Sequence, residues 1–273
     1  FGLHLCNPQH VRAIPGTKTD LRDGTRIAEL LAHGKLPESF IPPQWQRELR
    51  GPSRARADGG RGSMAEGRIT ALGFAPHSGW AVVVGVSAAG AGLRVLLRDR
   101  VELADPGQPE SRQPYHAVEG SAIGEAARRL AAYAATAERM AHEALRQISS
   151  RLAEQGHGVI GVGILDAAGR AGGSLADTLA SHALIHTADG NHFRNALAGA
   201  ASRCRLAALR VRARDLDREA ASAIGKAPQA LHQALKDLAR EVGPPWGADQ
   251  KAAALLAWLV LARASGGRRR ARR

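Results

Sequence analysis

Residues 69–103 read ITALGFAPHSGWAVVVGVSAAGAGLRVLLRDRVEL, and their patterning decides the fold class. Residues 69–75 form an apolar run, 80–87 a second run rich in valine, and 93–103 alternate Leu and Val with Arg, Asp and Glu. Apolar runs of strand length, punctuated by Pro76, Ser78, Gly79 and the glycines at 90 and 92, predict three consecutive strands joined by short turns. Strands joined so tightly return on one another, so the three form an antiparallel meander.

Downstream the period changes. Ile123, Ala127, Leu130, Ala134, Ala137, Ala141, Leu145, Ile148 and Leu152 recur at spacings of three and four, which predicts one long helix with an alanine-rich buried stripe, ended by Gly156. Residues 159–165 are continuously apolar between Gly158 and Asp166, the signature of a short strand covered on both faces. Residues 174–203 read as helix with a break near Asp189 and Gly190, 206–213 as a fifth strand, and two further helices follow. The order βββαβαβα with a helical end predicts an α/β domain over 64–267 that resembles the ribonuclease-H-like fold, a mixed sheet with flanking helices.

The 273 residues are 44% apolar, enough for a core, and carry a net charge of +13. Residues 1–63 hold ten Lys/Arg and six Asp/Glu, and the tail adds Arg268, Arg269, Arg270, Arg272 and Arg273. The remaining +4 is spread over an ordinary globular surface, so polyanion contact is expected mainly at the termini. Residues 51–63, GPSRARADGGRGS, have no apolar face and read as a flexible linker. The chain opens on Phe1 and regular patterning begins at Met64, as if a second gene started there after a first that lacks its natural beginning. Cys6 and Cys204 are too few for a disulfide framework. The apolar run 252–262 is about half the ~20 residues a bilayer-spanning helix needs. A cytoplasmic protein without membrane insertion is expected.

The stretch at 10–43, HVRAIPGTKTDLRDGTRIAELLAHGKLPESFIPP, resembles the end of the nuclease domain in the DEDD transposases of bacterial insertion sequences, the insertion-sequence 110 family. The family's Lys-Thr-Asp-x-x-Asp-Ala motif stands as Lys18, Thr19, Asp20, Leu21, Arg22, Asp23 and Gly24, with Gly24 in place of alanine, before a helix carrying Leu30 and Leu31. The resemblance implies a mostly helical transposase fragment over 1–50 in which Asp20 and Asp23 share a divalent cation such as Mg2+. It also implies DNA, or structured RNA, as partner. The first two carboxylates of the acidic tetrad would precede Phe1, so Asp20 and Asp23 alone are not a nuclease.

Residues 72–80, LGFAPHSGW, resemble the first strand and turn of RuvC-like resolvases, which run Gly-Ile-Asp-Pro-Gly and then reach Gly-Trp. Ala75 occupies the place of the catalytic aspartate. Asp166 at the end of the fourth strand and Asp249 on the last helix stand where such a fold keeps later carboxylates, with Glu102 a further candidate. His182 and His186, four apart, with Asp189 and His192 are residue types that zinc accepts, but on a helix that needs an apolar face they are expected to be partly buried, hydrogen-bonded histidines. No Walker loop, dinucleotide fingerprint, Gly-x-Ser-x-Gly elbow or HExxH is present. The arginines at 268–270 and 272–273 are expected to make sequence-blind phosphate contacts. Three functions follow: a mobile-element product joining a transposase remnant to an inactive nucleic-acid-binding module, a non-catalytic interaction domain with an accidental fusion, or a metal-dependent nuclease.

Overall fold

The computed structural model describes residues 68–89, 92–166 and 173–271, with side chains from 69 to 265. Asp20, Asp23, the transposase-like segment and the linker lie outside the described residues. The antiparallel meander forms as β1 (Arg68–His77), β2 (Trp80–Ala89) and β3 (Gly92–Glu102). Two 3₁₀ turns, Pro109–Arg112 and His116–Val118, lead into α1 (Ile123–Glu154). Then come β4 (His157–Asp166), the short α2 (Leu175–Leu179), α3 (His182–Arg203) and β5 (Ala207–Arg212). Three helices end the described chain: α4 (Ala213–Ile224), α5 (Pro228–Val242) and α6 (Ala248–Ala271).

The sheet runs β3-β2-β1-β4-β5. β1 pairs antiparallel with β2 and parallel with β4, and β5 is parallel to β4. A three-stranded meander extended by two parallel crossover strands is the ribonuclease-H-like topology, and it sets two helical layers on the sheet. Because side chains alternate along a strand, Leu72, Phe74, Ala81 and Val83 pack against α1 and α3. Ala71, Ala75, Val82 and Val84 pack against α4, α5 and α6.

Three local outcomes differ from the pattern reading. The helical break falls at Ala180 and Ser181, not at Asp189 and Gly190. Asp189 is buried and its carboxylate accepts from Tyr115 N (2.7 Å), so it is held by a loop while its own backbone stays helical. The chain after β5 makes three helices rather than two. Gly225, left-handed at φ 73°, ends α4, Pro228 starts α5, and Gly243 with Pro244 and Pro245 separates α5 from α6. Finally, the backbone of α6 runs to Ala271, so Arg268, Arg269 and Arg270 belong to its last turns.

The apolar run near the C-terminus is the middle of α6, where 253–261 are buried on all sides of the helix. No helix among the described residues is long and apolar enough to cross a membrane. α6 starts at a fixed place. Arg98 donates to the carbonyls of Gly243 (2.6 Å), Pro245 (2.7 Å) and Pro244 (3.2 Å), and Trp246 Nε1 donates to Leu235 O (2.7 Å). Its first turn therefore lands beside the end of β1.

Candidate functional site

The carboxyl ends of β1 and β4 lie side by side at the centre of the sheet, the end at which open α/β sheets commonly bind ligands. Ala75 faces the α6 layer and is buried. Its methyl group supplies no ligand atom. Two residues on, His77 stacks on Trp80 with ring centroids 4.2 Å apart and planes 11° from parallel. The Arg100 guanidinium covers the Trp80 ring at 4.1 Å and its Nε donates to Glu102 (2.8 Å). On the far side His77 Nε2 lies 3.1 Å from Asp249 Oδ2. Arg100, Trp80, His77 and Asp249 thus form one row across β3, β2, β1 and the first turn of α6. Glu102 is spent on Arg100 at the exposed end of that row.

Asp166 points to the opposite face. Its neighbours Leu165 and Ile164 pack in the α4–α6 and α1–α3 layers respectively, so alternation turns Asp166 toward α1 and α3. There Arg210 of β5 donates to it (2.8 Å), and Arg194 of α3 stands 4.0 Å away. Arg194 also donates to Leu165 O (3.0 Å), Gly190 O and Pro76 O (3.4 Å), fastening the ends of β1 and β4 to α3. Burial pulls the Arg194 guanidinium below its ordinary value, Asp166 raises it, and Arg210 lowers it. Arginine stays cationic throughout.

Mg2+ does not fit this arrangement. Two-metal phosphodiester chemistry needs several carboxylates converging on one point, whereas Asp166 and Asp249 lie on opposite faces of the sheet, and Asp166 is already held by Arg210. Among the described residues no group of three His, Cys, Asp or Glu ligands gathers around either of them.

Beside Asp166 opens a polar cleft of about 750 Å³ lined by Glu138, Asn191, Asn195, Arg210 and Arg212, with the capped start of α2 at its rim. Ser174 and Asp177 cap that helix reciprocally. His192 and Tyr115 form part of the wall. Burial and the neighbouring Asp189 raise the Tyr115 phenol, which stays protonated. Burial lowers His192 against the opposing pull of Asp189, the Tyr133 backbone and Glu138. Among the described residues its buried Nε2 has no hydrogen-bond partner.

The sign of the resulting pH effect follows. In the unfolded chain a histidine takes up its proton near pH ~6.5, while folded His192 does so only at lower pH. Below pH ~6.5 the unfolded state binds more protons, so stability rises with pH. The His192 contribution is complete above that value and is lost as pH falls toward the depressed folded one. His192→Gln is expected to flatten the fall in urea midpoint between pH 7 and pH 5. Identical pH profiles for the two proteins would assign the fall to another group.

No protein-family model matches the chain, and comparison with curated proteins gives no sequence match. Among solved structures the chain is similar to Thermus thermophilus RuvC in complex with Holliday junction substrate, at 12% identity and a TM-score of 0.43 over 73% of this chain and 96% of that one. It is similar also to another Thermus thermophilus RuvC structure, at 13% identity and a TM-score of 0.43 over 72% and 96%. The fold assignment rests on the strand order and strand directions themselves.

Of the residues singled out in the sequence, Asp166 and Asp249 are at the strand ends but apart. Asp20 and Asp23 are outside the described residues, as are Arg272 and Arg273. Arg268, Arg269 and Arg270 have described backbone only. His192 sits under the cleft, while His182 and His186 are exposed at the start of α3. The basic partners Arg194, Arg210 and His77 carried no motif. Alternation along β5, which turns Arg210 and Arg212 to the same face as Asp166, was the one signal that could have found two of the cleft's arginines.

Proposed function

We propose that this chain is a mobile-element-derived protein whose ribonuclease-H-like domain binds nucleic acid and does not cleave it. The observation that carries this reading is the state of the central strand ends: alanine at position 75, Asp166 held by Arg210, and Asp249 facing His77. A guanidinium 2.8 Å from a carboxylate occupies the space a divalent cation would take and repels its charge. Binding is supported by the cleft arginines Arg210 and Arg212 and by the run of five arginines at the C-terminal end. These supply phosphate contacts without base readout. The transposase origin rests on residues 10–43 alone, and any Mg2+ is left to Asp20 and Asp23. A cytoplasmic location accords with this role.

The alternative is a non-catalytic interaction domain that meets no nucleic acid. Titrating labelled duplex, single-stranded and branched DNA with the full chain at several salt concentrations separates the two. Salt-sensitive binding with little preference among the three supports the proposal. No binding at low salt leaves the interaction domain.

A further inference from the structure

Three histidines meet where the chain before α1 crosses the start of α3. His116, in the 3₁₀ turn His116–Val118, stands over His182 and His186 on the first two turns of α3. One ligand nitrogen from each lies within 4.8 Å of the other two. The ring centroids are 5.3 Å (His116–His182), 4.5 Å (His116–His186) and 4.5 Å (His182–His186) apart, all edge to face. His182 Nε2 and His186 Nε2 are 3.0 Å apart.

Asp189 gives this cluster an orientation. The carboxylate is buried, with 6% of the side chain exposed, and lies 2.5 Å from His116 Nδ1. Its other oxygen accepts from Tyr115 N at 2.7 Å. A carboxylate only accepts, so His116 carries its proton on Nδ1 and keeps a bare Nε2 as the nitrogen it can offer a metal. A carboxylate behind the ligand ring, fixing the tautomer and raising basicity, is the outer shell that metal-bound histidines use.

We infer that His116, His182 and His186 form a binding site for a divalent transition metal, zinc foremost, through their Nε2 atoms. Zinc–nitrogen bonds of about 2.0–2.1 Å at a tetrahedral angle place two nitrogens ~3.3 Å apart. The 3.0 Å separation of His182 and His186 is within a small rotation of that. Imidazole suits Zn2+, Ni2+ and Cu2+ and disfavours Mg2+. His182 and His186 are exposed, so the fourth position opens to solvent and takes water. The positive end of α3 opposes a cation, an effect confined to its first turn and small beside three imidazole bonds. Bound metal would pin the segment carrying Tyr115 and His116 to α3, and with it one wall of the cleft.

The test is a Co2+ titration followed by visible absorption, and a Zn2+ titration by calorimetry, on the full tag-free chain. Because His4, Cys6, His10 and His33 also offer ligands, the deciding comparison is with His182→Ala/His186→Ala, two exposed positions whose loss leaves the core intact. We expect the wild type to bind one more equivalent than the double variant, with a tetrahedral Co2+ band that the variant lacks and a thermal midpoint that zinc raises only in the wild type. Asp189→Asn is expected to weaken that equivalent by about 10–100-fold. Equal stoichiometry in wild type and double variant, or no binding by either, would overturn the assignment.

Discussion

Gly73→Ala is expected to destabilise the domain by about 3 kcal/mol or more, at or beyond the upper end of ordinary overpacking costs. A Cβ at Gly73 would stand 1.9 Å from Ala253 O, 2.8 Å from Ala253 C and 3.0 Å from Ala257 N, all backbone atoms of α6. No rotamer relieves such a contact. The helix would have to lift off β1, opening gaps around Leu255, Leu256 and Leu259 in the core. Gly163→Ala meets the Leu256 side chain instead, at 2.6 Å, and is expected to cost less because that side chain can shift. Gly158→Ala meets nothing within 4 Å and serves as the control, expected within about 0.5 kcal/mol of wild type. Urea unfolding of the three variants checks the ranking. A Gly73→Ala protein as stable as the control would mean that α6 does not lie directly on β1, and the placement of Asp249 beside His77 would fall with it.

Replacing Arg268, Arg269, Arg270, Arg272 and Arg273 by glutamine is expected to remove most nucleic-acid affinity at low salt. If all five neutralise phosphates, they contribute about 4.5 to the log-log salt slope on duplex DNA, at ~0.9 each. A slope of that size alone changes affinity by about 500-fold between 50 and 200 mM salt. The rest of the main domain carries little net charge, so the substituted chain should bind weakly and respond shallowly to salt. Fluorescence anisotropy at four salt concentrations reads both quantities. Retention of affinity and slope by the substituted chain would move the binding surface to residues 1–63, with their ten Lys/Arg, or to the cleft of Arg210 and Arg212.

The sheet was legible because its signal is local. β1 to β4 show themselves through period-two patterning and uninterrupted apolar runs, and α1 through its apolar repeat, of which Leu130, Ala137, Ala141, Leu145, Ile148 and Leu152 are buried. Ile123 and Ala127 are exposed, and the first turns bury Ala126 and Tyr133 instead. What the sequence hid depends on contacts across the chain. Asp189-Gly190 reads as a turn from its composition, but the Asp189 carboxylate is used by Tyr115 and His116, more than seventy positions away. His116 looks like an ordinary loop histidine until folding sets it against His182 and His186. Asp166 ends β4 and Asp249 lies in the first turn of α6, as their sequence positions implied. Their basic neighbours were not legible, because Arg194, Arg210 and His77 are common residues whose meaning is given only by whom they face.

The most direct measurement is cleavage. Purified full chain with Mg2+ or Mn2+ should leave duplex, single-stranded and branched DNA uncut above the level of an Asp166→Asn/Asp249→Asn variant, because Ala75 supplies no ligand, Asp166 is held by Arg210, and Asp249 lies on the other face of the sheet. Metal-dependent cleavage by the wild type that either Asp166→Asn or Asp249→Asn abolishes would contradict the account.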